Sequence, residues 1–238
     1  MSEHIESEPN KNPSFLKKNG WKIIAVLLLY YVLTMGLLHK VPRLPILHET
    51  IRNLYFHVCM WFSMIFILSI SVFQSLMYLS SNDIQKDIIA SQAANTGILF
   101  GFMGLTTGSL WAKFTWGAWW VNDPKLDGAA VTMLIYIAYL ILRASIDEEQ
   151  KRARIAAVYN IFAYIMLIVF LLIYPRMHNV DSLHPGNGGN PGFNTYDLDN
   201  NMRIVFYPAV IGWIMLAYWI TTIRIRIEKI KRKLYYND

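Results

Sequence analysis

Six stretches of the chain are almost free of charge and rich in Leu, Ile, Val, Phe and Met. They run over Ile23–Leu38, Asn53–Asn82, Ile88–Ala112, Gly128–Leu142, Ile155–Pro175 and Ile204–Ile223. With interfacial ends included, each approaches the roughly 17–25 residues that a bilayer crossing needs. The pattern predicts an all-α integral membrane protein with six transmembrane helices. The first stretch looks like a signal-peptide core, but Leu37, Leu38, His39 and Lys40 follow it in place of a small-x-small cleavage site, so it is read as a span. Polar residues 1–20 form an N-terminal tail, residues 21–223 the membrane domain and residues 224–238 a basic C-terminal tail. Gly97, Gly101, Gly104 and Gly108 recur near helical spacing in the third span, where they would let another backbone approach closely.

Composition agrees. Of 238 residues, 55% are hydrophobic and only 16% charged, with a mean hydropathy of +0.31, which excludes an ordinary soluble domain. A single cysteine, Cys59, excludes an internal disulfide, a dithiol motif or a thiolate cluster, and its apolar setting marks it as a small core residue. The net charge of +6 is unevenly placed. Fifteen Lys and Arg fall on the side that holds both termini and seven on the other, so the positive-inside rule puts both termini in the cytoplasm. The C-terminal tail mixes bases with Ile225, Ile227, Ile230 and Leu234 and is expected to lie along the cytoplasmic leaflet, drawn by anionic membrane lipids. A juxtamembrane basic run serves topology, so no nucleic-acid partner is expected. The chain has no G-x-x-x-x-G-K-[ST] phosphate loop.

This topology leaves three external segments, residues 39–53, 113–127 and 176–203. The third carries Pro185, Gly186, Gly188, Gly189, Pro191 and Gly192, cannot be regular helix, and is long enough to suggest a binding or lid role. Its Asp181, Asp197 and Asp199 lack the alternation of a calcium loop. The second holds Trp116–Asp123, WGAWWVND, between Lys113 and Lys125 and between spans three and four. On a helix, Trp116, Trp119, Trp120 and Asp123 would share one face of two turns. Tryptophans at this depth form an interfacial belt, or a flat platform for a flat ligand.

Of the six histidines, His4 and His39 read as solvated surface, and His48 and His178 as residues of external segments. His57 lies near the outer end of the second span, where an ionisable side chain is costly, and is either a ligand or a neutral imidazole bonded to a backbone carbonyl. His184 sits in the Gly/Pro-rich loop, as a ligand or an exposed loop residue. Two imidazoles, a tryptophan face and two lysines on one side suit heme, a flat apolar macrocycle with two axial sites and anionic propionates. Zinc would want three or four grouped ligands and no tryptophans, and a quinone would not use paired histidines.

The segment WGAWWVNDPKL resembles the tryptophan-rich WWD signature of the heme-handling family of cytochrome c assembly. Leu54-Tyr55-Phe56-His57-Val58 is similar to that family's stretch around a histidine at the start of span two, and His184 falls in the loop where the family has its second. The likeness covers about residues 20–225. It implies a heme b ligand held at the outer face of the bacterial cytoplasmic membrane, with His57 and His184 as axial ligands to the iron. It implies a cradle of Trp116, Gly117, Trp119, Trp120 and Asp123, with Lys113 and Lys125 as cationic contacts. It also implies delivery to a periplasmic heme chaperone, with any ATP use in partner ABC-transporter subunits, and so a heme-delivery protein rather than an enzyme with its own reaction. The chain departs from the family pattern at Asn122, often aromatic, and at Lys125, often arginine, which loses the bidentate fork. Three other readings stay open: a cytochrome c synthetase-type subunit, a membrane cytochrome b-like electron carrier, and a transporter whose tryptophans only anchor it.

Overall fold

The computed structural model describes residues 15–177, 180, 182–184 and 198–235. Six α-helices carry the fold: α1 (Phe15–Leu38), α2 (Leu54–Ser81), α3 (Ile84–Trp116), α4 (Pro124–Ala144), α5 (Glu149–Ile168) and α6 (Asn200–Tyr235). All six lie in segments long and apolar enough to cross a membrane. A 3₁₀ turn, Glu49–Asn53, leads into α2, while α5 passes through a π-helical turn, Val169–Ile173, into a 3₁₀ turn, Tyr174–Arg176.

Local chemistry sets the breaks. α2 ends where Asn82 turns left-handed, at φ 53°. Asp83 then caps α3, its carboxylate accepting from the Gln85 N–H at 2.9 Å. Glu148 caps α5 in the same way. α1 begins at Phe15, so residues 15–20, expected in the polar tail, are its first turns. Residues 224–235, expected to lie along a leaflet, continue α6 instead, and Arg232 reaches Glu149 at the start of α5 at 2.6 Å.

α2 is central, packing on α3, α5 and α6. Its contact with α3 follows one rule. His57, Trp61, Met64 and Leu68 are spaced 4, 3 and 4 apart, and each meets one of Gly108, Gly104, Gly101 and Gly97. The glycine stripe therefore admits α2 side chains rather than the bare backbone expected for it. Cys59 is buried, as anticipated.

The two ends of the bundle differ. At the end holding the start of α3 and the end of α4, Arg143 makes a bidentate pair with buried Asp87 at 2.7 and 2.8 Å. Between the ends, buried Asn160 donates to Ser71 and Ser75. At the opposite end, the start of α2, the end of α3 and the start of α4 gather around a cavity.

Two glycine positions separate forms of tight packing. A Cβ at Gly128 would lie 2.5 Å from the backbone oxygen of Phe170 in the π turn, which cannot easily give way. A Cβ at Gly101 would first meet the flexible side-chain ends of Met133 and Met64. We expect Gly128→Ala to cost about 2–3 kcal/mol and Gly101→Ala less than about 1.5, measured as unfolding in one detergent. Equal losses would contradict this assignment. Arg143→Ala, which strands the Asp87 carboxylate, is expected to cost about 3–5 kcal/mol in the same assay.

Candidate functional site

The cavity has a volume of about 510 Å³, within the size range of small-molecule and cofactor sites. Its wall is mostly apolar, from Val58, Phe62, Ile65, Leu105, Ala129 and Leu171 among others, with tryptophans 61, 111, 116 and 120 set into it. Both His57 and His184 line it.

His57 projects from the first turn of α2. Its Nδ1 lies 3.0 Å from the carbonyl oxygen of Gly104 and 3.2 Å from Thr107 Oγ1. A carbonyl oxygen only accepts, so Nδ1 carries the hydrogen and Nε2 keeps a lone pair. The structural and ligand readings of His57 are therefore compatible, one on each ring nitrogen. The rings of Trp61 and Trp111 stand edge-on to the imidazole at 6.3 and 5.8 Å. Trp111 is itself fixed, its Nε1–H donating to Thr50 Oγ1 at 2.9 Å. Gly108 closes the other side, where a Cβ would sit 2.5 Å from His57 Cε1.

His184 reaches the cavity from the far end of the sequence, and Asp123 brings it there. Asp123 caps α4, accepting from the Lys125 N–H at 2.9 Å, with Pro124 at the first helical position. The same carboxylate accepts from Ser182 Oγ at 3.0 Å, the Leu183 N–H at 2.7 Å and His184 Nδ1–H at 3.0 Å. Burial alone would raise its pKa. The hydrogen bond from His184, with those from the Leu183 and Lys125 N–H groups, outweighs that and holds the carboxyl well below the usual range. An ionised carboxylate fixes the hydrogen on Nδ1, so His184 also presents Nε2 as its lone-pair nitrogen. Because the folded pKa is the lower one, this anchor is fully present above the unfolded value of 3.8 and fades only as pH falls below it. Trp116 stands edge-on to the His184 ring at 5.0 Å.

The tryptophan motif is not one helical face. α3 stops at Trp116 because Gly117 takes φ +80°, and residues 117–123 are irregular until Asp123 starts α4. Trp116 and Trp120 line the cavity, whereas Trp119 is 57% exposed and lies outside the lining. The Trp120 Nε1–H donates to Asp127, and Ser109 Oγ–H holds the Trp119 carbonyl. Gly117 serves as the turn, and Lys113 caps α3 through the Gly117 carbonyl at 2.9 Å. Lys125 lines the cavity; Lys113 and Asn122 do not.

Sequence reasoning passed over Trp61 and Trp111, although Trp61 follows His57 by one helical turn. It also passed over Arg176, a second cation on the wall, whose guanidinium is held by the Leu172 carbonyl at 2.7 Å. His178, Asp181, Asp197 and the Gly/Pro run of residues 185–192 lie outside the described residues. Among the described residues, no group of three or more His, Cys, Asp or Glu side chains is gathered to hold a bare metal ion.

The heme exporter protein C family profile, CcmC, matches residues 11–237. Heme exporter protein C of Bradyrhizobium diazoefficiens is 33% identical over 189 residues, covering 78% of this chain and 69% of that protein. The Haemophilus influenzae protein of that name is 27% identical over 138 residues, 58% of this chain and 54% of the relative. The match to the Haemophilus protein thus spans about half of its length. Cytochrome c biogenesis protein CcsA of Prochlorococcus marinus is 42% identical, but over only 78 residues, 31% of this chain. By the extent of the profile match, the chain belongs to the heme exporter protein C family.

Proposed function

We propose that this multi-pass inner-membrane protein holds a heme b cargo in the cavity, at the outer face of the membrane. It then delivers that cargo to a periplasmic heme chaperone for c-type cytochrome assembly. One observation carries the proposal. Two imidazoles line one apolar cavity, and each has its Nδ1–H committed to an acceptor, leaving two Nε2 lone pairs with no protein partner among the hydrogen bonds described. With no third ligand gathered nearby among the described residues, a macrocycle that brings its own four equatorial donors suits this pair better than a bare ion.

The heme supplies an iron with two open axial positions and two anionic propionates. His57 and His184 would take the axial positions. Trp116 and Trp120 would cover the ring faces, and Lys125 and Arg176 would meet the propionates. Gly104, Asp123 and the Nδ1 bonds orient the two ligands. The ligands are unequal: His57 stands on a packed helix, while His184 stands on an irregular segment held by one carboxylate. Handover then proceeds by release of His184 while His57 keeps its place. An electron carrier, whose iron must stay fixed, would gain from two helix-borne ligands. ABC-transporter subunits of the same system would supply the ATP hydrolysis for which this chain has no motif.

Absorption spectra of purified protein given heme test this directly. Wild type is expected to give the low-spin spectrum of a bis-imidazole complex. His57→Ala and His184→Ala should each lose it while remaining folded, and normal spectra in both would sink the axial assignment. Asp123→Asn keeps the α4 cap but loses the anionic acceptor, and is expected to weaken heme retention by about 10–100-fold. Asp123 predicts no loss of retention of its own between about pH 7 and 5, since its carboxylate stays ionised there. Gly108→Ala should turn the His57 ring and reproduce much of the His57→Ala spectrum. Trp120→Ala is expected to impair heme capture more than Trp119→Ala, and the reverse order would place the platform on the exposed side.

A further inference from the structure

α6 is 36 residues long, about 54 Å, well beyond the roughly 30 Å of a bilayer's hydrocarbon core. The excess lies at the end opposite the cavity. Arg224 bonds to Gln92, two turns into α3, and Arg232 pairs with Glu149 at the first residue of α5. From about Ile227 onward, α6 therefore stands level with the charged ends of its neighbours.

That last stretch has two faces. The inner face holds Arg232 with Glu149 and Glu228, which places the acid of this stretch in an ion pair. The outer face carries Ile227, Ile230 and Leu234, 48%, 58% and 66% exposed, in line with Ile223, 44% exposed, at the end of the span. Their 4, 3, 4 spacing is that of a coiled-coil seam, and it runs for three turns, about 17 Å. Angular position puts the seam opposite Arg232. Exposed Arg226, Lys229 and Lys233 flank it on one side and Lys231 on the other.

We propose that this stripe docks an acidic amphipathic helix of a partner protein on the side away from the cavity, which is the cytoplasmic side if the heme reading holds. A seam with apolar residues at helical spacing fits the apolar face of a second helix. The flanking cations select a partner with glutamates or aspartates beside its own seam. A second copy of this chain would bring the same cations against them. A lipid surface is parallel to the bilayer plane, whereas this stretch continues α6 without a break, with Arg232 held to the start of α5.

The test uses the full chain in nanodiscs of neutral phosphatidylcholine. The probe is a labelled synthetic helix with leucines at seam positions and glutamates beside them. Saturable binding is expected, weakened more than about tenfold by Ile227→Ser with Ile230→Ser, and by Lys229→Glu with Lys233→Glu. A lysine-flanked version of the peptide should not bind. No binding, or equal binding to all variants, overturns the proposal. An environment-sensitive dye on Ile230→Cys, in a Cys59→Ser background, separates the other occupants. Burial of the dye in phosphatidylserine nanodiscs without peptide would give the stripe to lipid, and self-quenching in discs holding two chains would give it to a second copy. Either result overturns the proposal. The stripe variants should keep wild-type heme spectra, so failure here and failure of the heme reading are read on separate signals.

Discussion

A buried anion must be satisfied by groups that come to it, and around Asp123 those groups arrive from two distant parts of the chain. Its carboxylate accepts from Lys125 at the start of α4 and from Ser182, Leu183 and His184, about sixty residues later. No other described contact ties the 182–184 segment so firmly to the bundle. Removing the anion leaves three donors and an imidazole without their acceptor, and each such loss in a buried setting is expensive. The position of His184, its tautomer and the start of α4 are thus one problem with one solution. The WWD-type motif then has two parts with different work. Its tryptophans shape the cavity, and its aspartate places a histidine that is remote in sequence.

The other histidine of the cavity is placed by packing. Along the α2–α3 contact, four side chains enter four glycine hollows in matched spacing, and His57 is the outermost of them. The register that seats Leu68 against Gly97 in the core also seats the imidazole against Gly108 at the cavity. A slip of α2 along α3 would therefore cost core packing before it moved the ligand, which makes His57 rigid. Gly128 does related work for the third wall, letting the Phe170 backbone approach α4 so that the π turn brings Leu171 and Leu172 to the cavity. π turns of this kind recur at functional sites because they aim residues that a regular helix would turn away.

How far the sequence reveals this follows from the range of each interaction. Hydropathy is a local sum, so all six spans are legible, with ends misplaced mainly where polar residues continue a helix, as at Phe15 and beyond Arg224. The two histidines are legible because an imidazole in an apolar run and one in a Gly/Pro loop each stand out locally. The helical face proposed for Trp116–Asp123 failed because Gly117 breaks it, and a glycine between tryptophans does not announce its positive φ. The role of Asp123 was hidden because its partners are set by tertiary contact. Arg176 was hidden because a base at the end of a span looks like any interfacial charge. Trp61 lay one helical turn from His57 and was the missed signal nearest to view.

The same bundle divides its labour by end. One end is apolar, aromatic and open, with two cations on its wall and one imidazole on an irregular segment. The other is closed by the Asp87–Arg143 pair and extended by the last turns of α6, which carry an exposed apolar line among bases. The α2–α3 register runs between them, so a load on the far end of α6, which packs on both helices, bears on the elements that hold His57. It bears far less on His184, whose described anchor is Asp123 at the cavity end. A partner bound to the extension would therefore act on the elements that carry His57 and leave the Asp123–His184 contact untouched, an asymmetry that suits the release proposed for His184.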